Sequence, residues 1–160
     1  MRGLTLIRLR DVGDTPDGQR GMVVLEDLEQ QRCLAFATDP HETQRLAREM
    51  GRARCACNPV YDFIQSLLAT FQATITRVVL DDAGEKGITA FVDLAVAPAG
   101  EGVTLRCYPP DALALALRSK AAIYATPAAL THAVPRPRRH GPPAAGAVTG
   151  WLEKLKPEDF

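Results

Sequence analysis

The segment from Leu105 to Thr126 constrains the fold more than any other part of the chain. It reads LRCYPPDALALALRSKAAIYAT, and its alanines and leucines are strong helix formers. Two prolines precede Asp111, whose carboxylate is able to accept a hydrogen bond from a free N–H of a first helical turn. The pattern therefore predicts a strand end, a helix with Asp111 at its N-cap and Arg118 in its last turn, and then a short strand.

Strand and helix patterns alternate along the rest of residues 1–130. Two more helices are predicted, one from Pro40 to Met50 behind an Asp39 N-cap and one from Asn58 to about Phe71. Short β-type runs come in meandering groups around them, at residues 4–10, 22–26, 32–37, 74–81, 88–97 and 103–108. This order favours a single compact α+β domain with a meandering sheet over a doubly wound parallel sheet.

The second of these helices carries apolar residues at the spacing of a buried stripe. They are Phe63, Ile64, Leu67, Leu68 and Phe71. Because such a stripe usually packs on the interior of its own domain, we expect all five side chains to face the core.

The charges of the chain balance, with 19 basic and 19 acidic residues. A protein that grips many phosphates usually carries a basic excess or a basic stripe, so any contact with nucleic acid is expected to be local and transient. No apolar stretch approaches the roughly 20 residues that span a bilayer, and the N-terminus lacks the apolar core of a signal peptide. We therefore expect a cytoplasmic protein without membrane contact.

The four cysteines are expected to be reduced thiols in that compartment. Cys55 and Cys57 form a C-x-C pair, which would supply half of a zinc site, and the sequence shows no second half. Cys33 and Cys107 lie in strand patterns, where cysteine usually behaves as a small core residue.

The composition changes after residue 130. Residues 131–148 are rich in proline, arginine and glycine and are interpreted as a linker. Its PRPRRH run is expected to be solvated, as short basic runs usually are, with contact to nucleic acid or an acidic partner as the alternative. Residues 149–160 are predicted to form a short helix and tail, in which Trp151, Leu152 and Leu155 make an apolar face. Such a face has to pack against its own domain or against another subunit.

The segment from Leu105 to Thr126 resembles the signature of the bifunctional nuclease family, whose bacterial and plant members are credited with cutting both DNA and RNA. The family pattern reads aspartate, a small residue, Arg-Pro-Ser-Asp-Ala, a helix rich in alanine and leucine, a basic residue and Pro-Ile-Tyr. Arg106, Tyr108 and Pro110 stand where the family has its leading aspartate, its arginine and its serine. The positions that keep the pattern are Pro109, Asp111, Ala112, Leu115, Ala116, Leu117, Arg118, Ile123 and Tyr124.

Three further segments extend this resemblance over nearly the whole chain. Residues 39–51 resemble the family's Gly-Pro-x-Glu-Ala helix, with Glu42 matching. Residues 58–68 resemble its Arg-Pro-Leu-Thr-His-Asp-Leu segment, in which Asp62 matches and Tyr61 replaces the histidine. The closing LKPEDF is similar to the Pro-Glu-Asp-Phe end of many members. The resemblance implies a compact α/β domain that assembles as a homo-oligomer, a dimer or a trimer.

Three carboxylates match family positions and are the candidate catalytic residues: Glu42, Asp62 and Asp111. Hydrolysis of a phosphodiester usually needs carboxylates that hold Mg²⁺ or Mn²⁺, or a histidine that acts as general base. If the helix starts converge in space, Glu42 and Asp62 are the expected metal ligands. Asp111 has two alternative roles, as a helix cap or as a member of the site. His41 is a further candidate for the general base.

The candidate substrate-binding residues are Tyr61, Arg106, Tyr108 and Arg118. Tyr61 would stack on a nucleobase or donate to a phosphate. Tyr108 replaces an arginine of the family pattern, and Arg106, which alternates to the same face of the strand, would restore that positive charge. Two functions follow from the resemblance. The first is metal-aided hydrolysis of DNA and RNA with low sequence specificity. The second is a catalytically inactive family member that acts as an oligomeric binding or scaffold module.

Overall fold

The computed structural model of the chain describes residues 3–27, 29, 32–52, 58–98 and 100–135. Within these ranges a wide turn, Arg48–Arg52, extends the first helix, and a 3₁₀ turn, Gly84–Lys86, joins the fourth strand to the fifth. The α-helices are α1 (Pro40–Ala47), α2 (Pro59–Thr70), α3 (Pro109–Ser119) and α4 (Pro127–Leu130). The strands are β1 (Thr5–Asp14), β2 (Gly21–Asp27), β3 (Arg32–Thr38), β4 (Ala73–Asp82), β5 (Ile88–Val96), β6 (Glu101–Cys107), β7 (Ala122–Ala125) and β8 (Val134–Pro135).

The described strands lie in one mixed sheet with the order β6-β5-β4-β7-β1-β2-β3-β8. Strands β1 to β3 form one antiparallel meander, and strands β4 to β6 form another. Strand β7 joins the two meanders, because it pairs antiparallel with β1 and parallel with β4. The predicted compact α+β fold with meandering strands is therefore confirmed.

The core lies between one face of this sheet and the helices. Helix α3 crosses the sheet with five consecutive buried residues, from Ala112 to Ala116, while α1 contributes Leu46 and α2 contributes Tyr61. Fully burying a leucine or valine side chain stabilises the fold by about 1.5–3 kcal/mol. The most deeply buried side chains include Val23, Leu25, Leu34, Leu46, Val78, Leu80 and Leu113.

Strand β1 is longer than the sequence pattern predicts. It continues through residues 11–14, which the pattern assigns to a loop, and pairs with β2 along its whole second half. The register shifts between Leu9 and Asp11, so a β-bulge at Arg10 absorbs one residue. The bulge interrupts the period-2 alternation, and this interruption hides the second half of the strand from a pattern search.

The apolar stripe of α2 is only partly buried. Ile64 and Leu68 pack against the core, as predicted. Phe63, Leu67 and Phe71 do not, since all three are exposed and the exposed fractions of Phe63 and Phe71 are 63% and 68%. The prediction that the whole stripe faces the core is therefore wrong, because periodicity identifies an apolar face without showing what covers it.

The sheet extends beyond residue 130, into the segment that its composition assigns to a linker. Val134 of β8 pairs with Cys33 of β3, and Cys33 is buried as expected for a core cysteine. The pair Cys55 and Cys57, the rest of the predicted linker and the predicted helix over 149–160 lie outside the described residues. In the part of the chain that is described, no helix has the length and the apolar character to cross a membrane.

Candidate functional site

Helix α1 lies very close to the sheet at Gly21. A Cβ atom built on Gly21 would lie 2.4 Å from Cγ2 of Thr43 and 2.9 Å from the carbonyl oxygen of Asp39. The Thr43 hydroxyl oxygen lies 2.7 Å from the carbonyl oxygen of Pro40 and 3.0 Å from Oδ1 of Asp14, so it links the helix to the end of β1. The missing side chain at Gly21 therefore sets the position of the first turn of α1.

The start of α1 follows the sequence prediction. Asp39 is the N-cap, its Oδ1 accepts from the backbone N–H of His41 at 2.8 Å, and Pro40 is the first helical residue. Glu42 is the third helical residue, and both of its carboxylate oxygens accept from Nη1 of Arg45, at 2.9 and 3.0 Å. The i,i+3 spacing places this ion pair on one side of the helix.

Helices α2 and α3 also begin with a proline at the first position. Asn58 is the N-cap of α2, as predicted, and Tyr61 is its third helical residue. The predicted N-cap of α3 is wrong, because Tyr108 is the N-cap and both prolines belong to the helix. Proline lacks an N–H group, and in the first turn of a helix no intrahelical hydrogen bond depends on that group. Asp111 is consequently the third helical residue of α3.

The third residues of α1, α2 and α3 converge on Arg45. The Tyr61 hydroxyl donates to Oδ1 of Asp111 at 2.6 Å. Nη2 of Arg45 donates to the Tyr61 oxygen at 3.3 Å and lies 3.5 Å from Oδ1 of Asp111. Together with the pair between Glu42 and Arg45, these contacts form a continuous polar group. We call Glu42, Arg45, Tyr61 and Asp111 the helix-start cluster.

Two members of the helix-start cluster are open to solvent. The side chains of Asp111 and Arg45 are 34% and 33% exposed. Tyr61 is only 2% exposed. A ligand is therefore able to reach the carboxylate and the guanidinium, while Tyr61 holds Asp111 in place from the protein side. A buried ring is not available for the predicted stacking on a nucleobase.

Tyr61 remains protonated in this environment. Burial is the main cause that raises the pKa of its phenol above the ordinary value, and the hydrogen bond to Asp111 and the charge of Asp111 act in the same direction. The pKa of the Arg45 guanidinium is also raised, because Tyr61, Glu42 and Asp111 outweigh the opposing effect of burial. The site thus combines a permanent cation with a neutral hydrogen-bond donor, and Tyr61 does not serve as a general base.

Arg118 holds Asp62 outside the helix-start cluster. Its Nε and Nη2 atoms donate to the two carboxylate oxygens of Glu49 at 2.7 and 3.1 Å, and its Nη1 atom donates to Oδ1 of Asp62. The side chains of Arg118 and Glu49 are both largely buried. This bidentate pair ties the turn after α1 to the end of α3. Arg118, a predicted substrate contact, is therefore covered and structural.

The Tyr61 ring also links the two arginines. Its centroid lies 5.3 Å from Cζ of Arg45 and 5.5 Å from Cζ of Arg118. Each guanidinium is within the range of a cation–π contact, which stabilises by about 0.5–2 kcal/mol. The ring therefore fixes the distance between the open cluster and the buried ion pair.

The predicted metal ligands, Glu42 and Asp62, bind different arginines. Within the described ranges, no group of three His, Cys, Asp or Glu side chains is placed to hold a metal ion. Guanidinium N–H groups occupy carboxylate oxygens that a hard divalent cation would need. The described residues therefore do not fit a resident Mg²⁺ or Mn²⁺ ion.

The remaining predicted substrate contacts, Tyr108 and Arg106, lie far from each other in environment: Tyr108 is beside the helix-start cluster and Arg106 is on the other face of the sheet. The Tyr108 hydroxyl is 2.9 Å from the hydroxyl oxygen of Thr38, so Tyr108 bridges the end of β3 and the start of α3 beside the helix-start cluster. Arg106 is paired with Phe91, on the sheet face opposite to the core, and its Nε donates to the Thr89 hydroxyl at 3.1 Å. Only Tyr108 is therefore placed to touch a ligand of the cluster.

Two residues of these polar networks are not predicted from the sequence. Arg45 leaves a signal, because it stands three residues after Glu42 on a predicted helix and such pairs usually interact. Glu49 leaves none, since its partner Arg118 is 69 positions away and only the fold brings them together.

A mixed sheet of two joined meanders, with three helix starts that gather polar side chains at a partly open site, defines a compact α+β domain. Residues 23–136 match the model of the bifunctional nuclease domain. The match covers more than half of the chain and includes the whole helix-start cluster, so the chain belongs to the bifunctional nuclease family. None of the curated proteins that were compared with the chain matches it.

Proposed function

We propose that this chain hydrolyses phosphodiester bonds of DNA and RNA with low sequence specificity, and that the helix-start cluster is the site of that reaction. One observation carries the proposal. A partly exposed guanidinium lies between two carboxylates, at three converging helix starts, inside the region that matches the nuclease family.

Phosphate binding is assigned to Arg45. Its guanidinium is partly exposed and positively charged. Nη1 and Nη2 already contact Glu42, Tyr61 and Asp111, so a phosphate binds through Nε or by replacing one of these contacts. The N-terminal turns of α1, α2 and α3 add partial positive charge at the same place. Contacts to phosphate carry no sequence information, which accounts for low specificity. A single arginine also agrees with the balanced charge of the chain.

Proton transfer is assigned to Asp111. Its carboxylate accepts a proton from the attacking water, whose oxygen forms the new bond to phosphorus. The bond from phosphorus to the leaving ester oxygen breaks, that oxygen takes a proton from solvent, and Asp111 releases its proton to solvent. Tyr61 and Glu42 act as positioning residues, since the first holds Asp111 and the second holds Arg45. The requirement for Mg²⁺ or Mn²⁺ stays a prediction.

The test is a cleavage assay with end-labelled single- and double-stranded DNA and RNA, each with Mg²⁺, with Mn²⁺ and with chelator. We expect Asp111→Asn to lower the cleavage rate at least ~100-fold, the usual contribution of a general base. Glu85→Gln is the matched control, because Glu85 is an exposed acid in the turn between β4 and β5. Equal rates in the wild type and in Asp111→Asn would place the activity elsewhere or in a contaminant.

A second function, binding without catalysis, is supported by the ion pairs of the cluster. Arg45 is paired with both Glu42 and Asp111, and no three-ligand metal group exists among the residues that the structure describes. An inactive binding module would retain labelled oligonucleotides and release no product with either metal. Product that appears with the wild type and is lost in Asp111→Asn would exclude this function.

A further inference from the structure

The large apolar side chains that remain exposed are concentrated on two elements. Eight such side chains occur in the described ranges, and only Leu6 lies elsewhere. Single exposed apolar residues are normal on a protein surface, whereas a concentrated set marks an interaction surface. The seven on or beside α2 and β6 are Val60, Phe63, Leu67, Phe71, Val103, Leu105 and Tyr108.

The α2 residues form one outward stripe. Val60, Phe63, Leu67 and Phe71 follow one another at spacings of three and four residues, which places them on one side of the helix. Asp62 is the one charged residue of α2, and it is bound to Arg118. No charge of α2 therefore opposes close contact with another apolar surface.

Strand β6 lies beside this helix at an edge of the sheet. Val103 pairs with Leu94 and Leu105 pairs with Val92, so both side chains project from the face that carries the core. The backbone N–H of Ala97, in the turn before β6, donates to the carbonyl of Gln72 directly after α2 at 3.1 Å. The end of α2 and the start of β6 therefore meet at one end of the sheet.

We propose that α2 and β6 form the surface through which a second copy of this chain binds, with the same surface on both copies. Seven large side chains that are about half exposed present roughly 600 Å². A stable complex buries about 800 Å² per partner, so flanking atoms supply the rest. An edge strand pairs antiparallel with a copy of itself, and a two-fold contact needs only one self-complementary patch. Tyr108 borders both this surface and the helix-start cluster, and assembly is measured without nucleic acid, so its failure is distinct from a failure of the proposed chemistry.

The test is sedimentation of the full chain over a wide range of concentration. The double variant Phe63→Asp with Phe71→Asp places two charges on the α2 stripe, and Leu6→Asp is the control because Leu6 is similarly exposed on β1. We expect dimers or larger oligomers for the wild type and the control. For the double variant we expect monomers, or a dissociation constant raised more than about tenfold.

Two results would overturn the proposal. One is a monomeric wild type at every concentration, and the other is a double variant that is folded by circular dichroism and associates as the wild type does. In the first case Trp151, the single tryptophan of the chain, identifies what covers the stripe instead. A monomeric wild type whose Trp151 emission moves to longer wavelength in the double variant would assign the α2 stripe to the segment 149–160. If the aspartates unfold the protein, Phe63→Ser with Phe71→Ser replaces them.

Discussion

Tyr61 shows how one side chain takes a role that its residue type alone does not reveal. The bifunctional nuclease pattern has a histidine at this place, and a tyrosine there suggests contact with substrate. In the structure the ring is buried between Arg45 and Arg118, and the hydroxyl donates to Asp111. Tyr61 thus contacts residues of α1 and α3 from α2, and in the proposed reaction it positions Asp111.

The raised pKa of Tyr61 predicts a dependence of stability on alkaline pH. The folded state keeps the phenolic proton above the ordinary pKa of 10.0, so this contribution is complete below that pH and is lost as the pH rises above it. Urea titrations at about pH 9 and about pH 11 should therefore show a larger loss of unfolding free energy in the wild type than in Tyr61→Phe.

Tyr124→Phe, on β7, is the control for that comparison, since Tyr124 lies outside the cluster. At neutral pH, Tyr61→Phe should lower the free energy of unfolding by about 1–2 kcal/mol, because Asp111 loses a hydrogen bond. Parallel pH curves for the wild type and Tyr61→Phe would show that the phenol does not hold its proton as described.

The buried pair between Arg118 and Glu49 should contribute strongly to stability. Removing one partner of such a pair leaves a charge without compensation, which costs about 3–5 kcal/mol. Arg118→Met should lower the free energy of unfolding by this amount in a urea titration. Arg48→Met is the control, because Arg48 is exposed on the same turn as Glu49. Equal effects of the two variants would mean that the pair is not structural.

At the scale of elements, the helix-start cluster depends on how closely α1 approaches β2. The contact at Gly21 leaves no room for a Cβ atom, since backbone as well as side-chain atoms lie within 3 Å of its place. Any added atom there has to push away the turn that carries Glu42 and Arg45. The geometry of the site and the packing of α1 are therefore coupled.

Gly21→Ala should lower the free energy of unfolding by about 1–3 kcal/mol, the usual cost of overpacking. Gly13→Ala is the matched control, because Gly13 lies in the neighbouring strand and a Cβ there meets no atom within 4 Å. Urea titration compares the two variants. A neutral Gly21→Ala together with unchanged activity would show that α1 shifts at no cost.

Local signals in the sequence predict most of the helices and strands, but they do not predict which side chains of these elements are buried. The prolines and N-caps of α1 and α2 predict both helix starts, because capping depends on adjacent residues. The start of α3 is misplaced, since two prolines fit inside a first turn as well as before it. The apolar stripe of α2 is visible, whereas the burial of its members depends on packing between distant segments.

At the scale of the whole molecule, the segment that constrains the fold most also joins its two halves. It contains the end of β6, all of α3 and all of β7, and β7 pairs with both meanders. The same segment supplies Asp111 to the cluster and Arg118 to the buried ion pair. This is why its apolar pattern predicts the fold while its polar residues find partners that only the complete fold provides.

The central claim is that nucleic acid binds at Arg45 of the helix-start cluster, whether or not cleavage follows. Its most direct test is a fluorescence anisotropy titration of a labelled single-stranded oligonucleotide, with chelator present and with the oligonucleotide checked for cleavage afterwards. Arg45→Gln should raise the dissociation constant about tenfold or more, because one charged hydrogen-bond donor is lost. Arg20→Gln, at an exposed arginine before β2, should leave it nearly unchanged. Equal binding by the wild type and Arg45→Gln would contradict the claim.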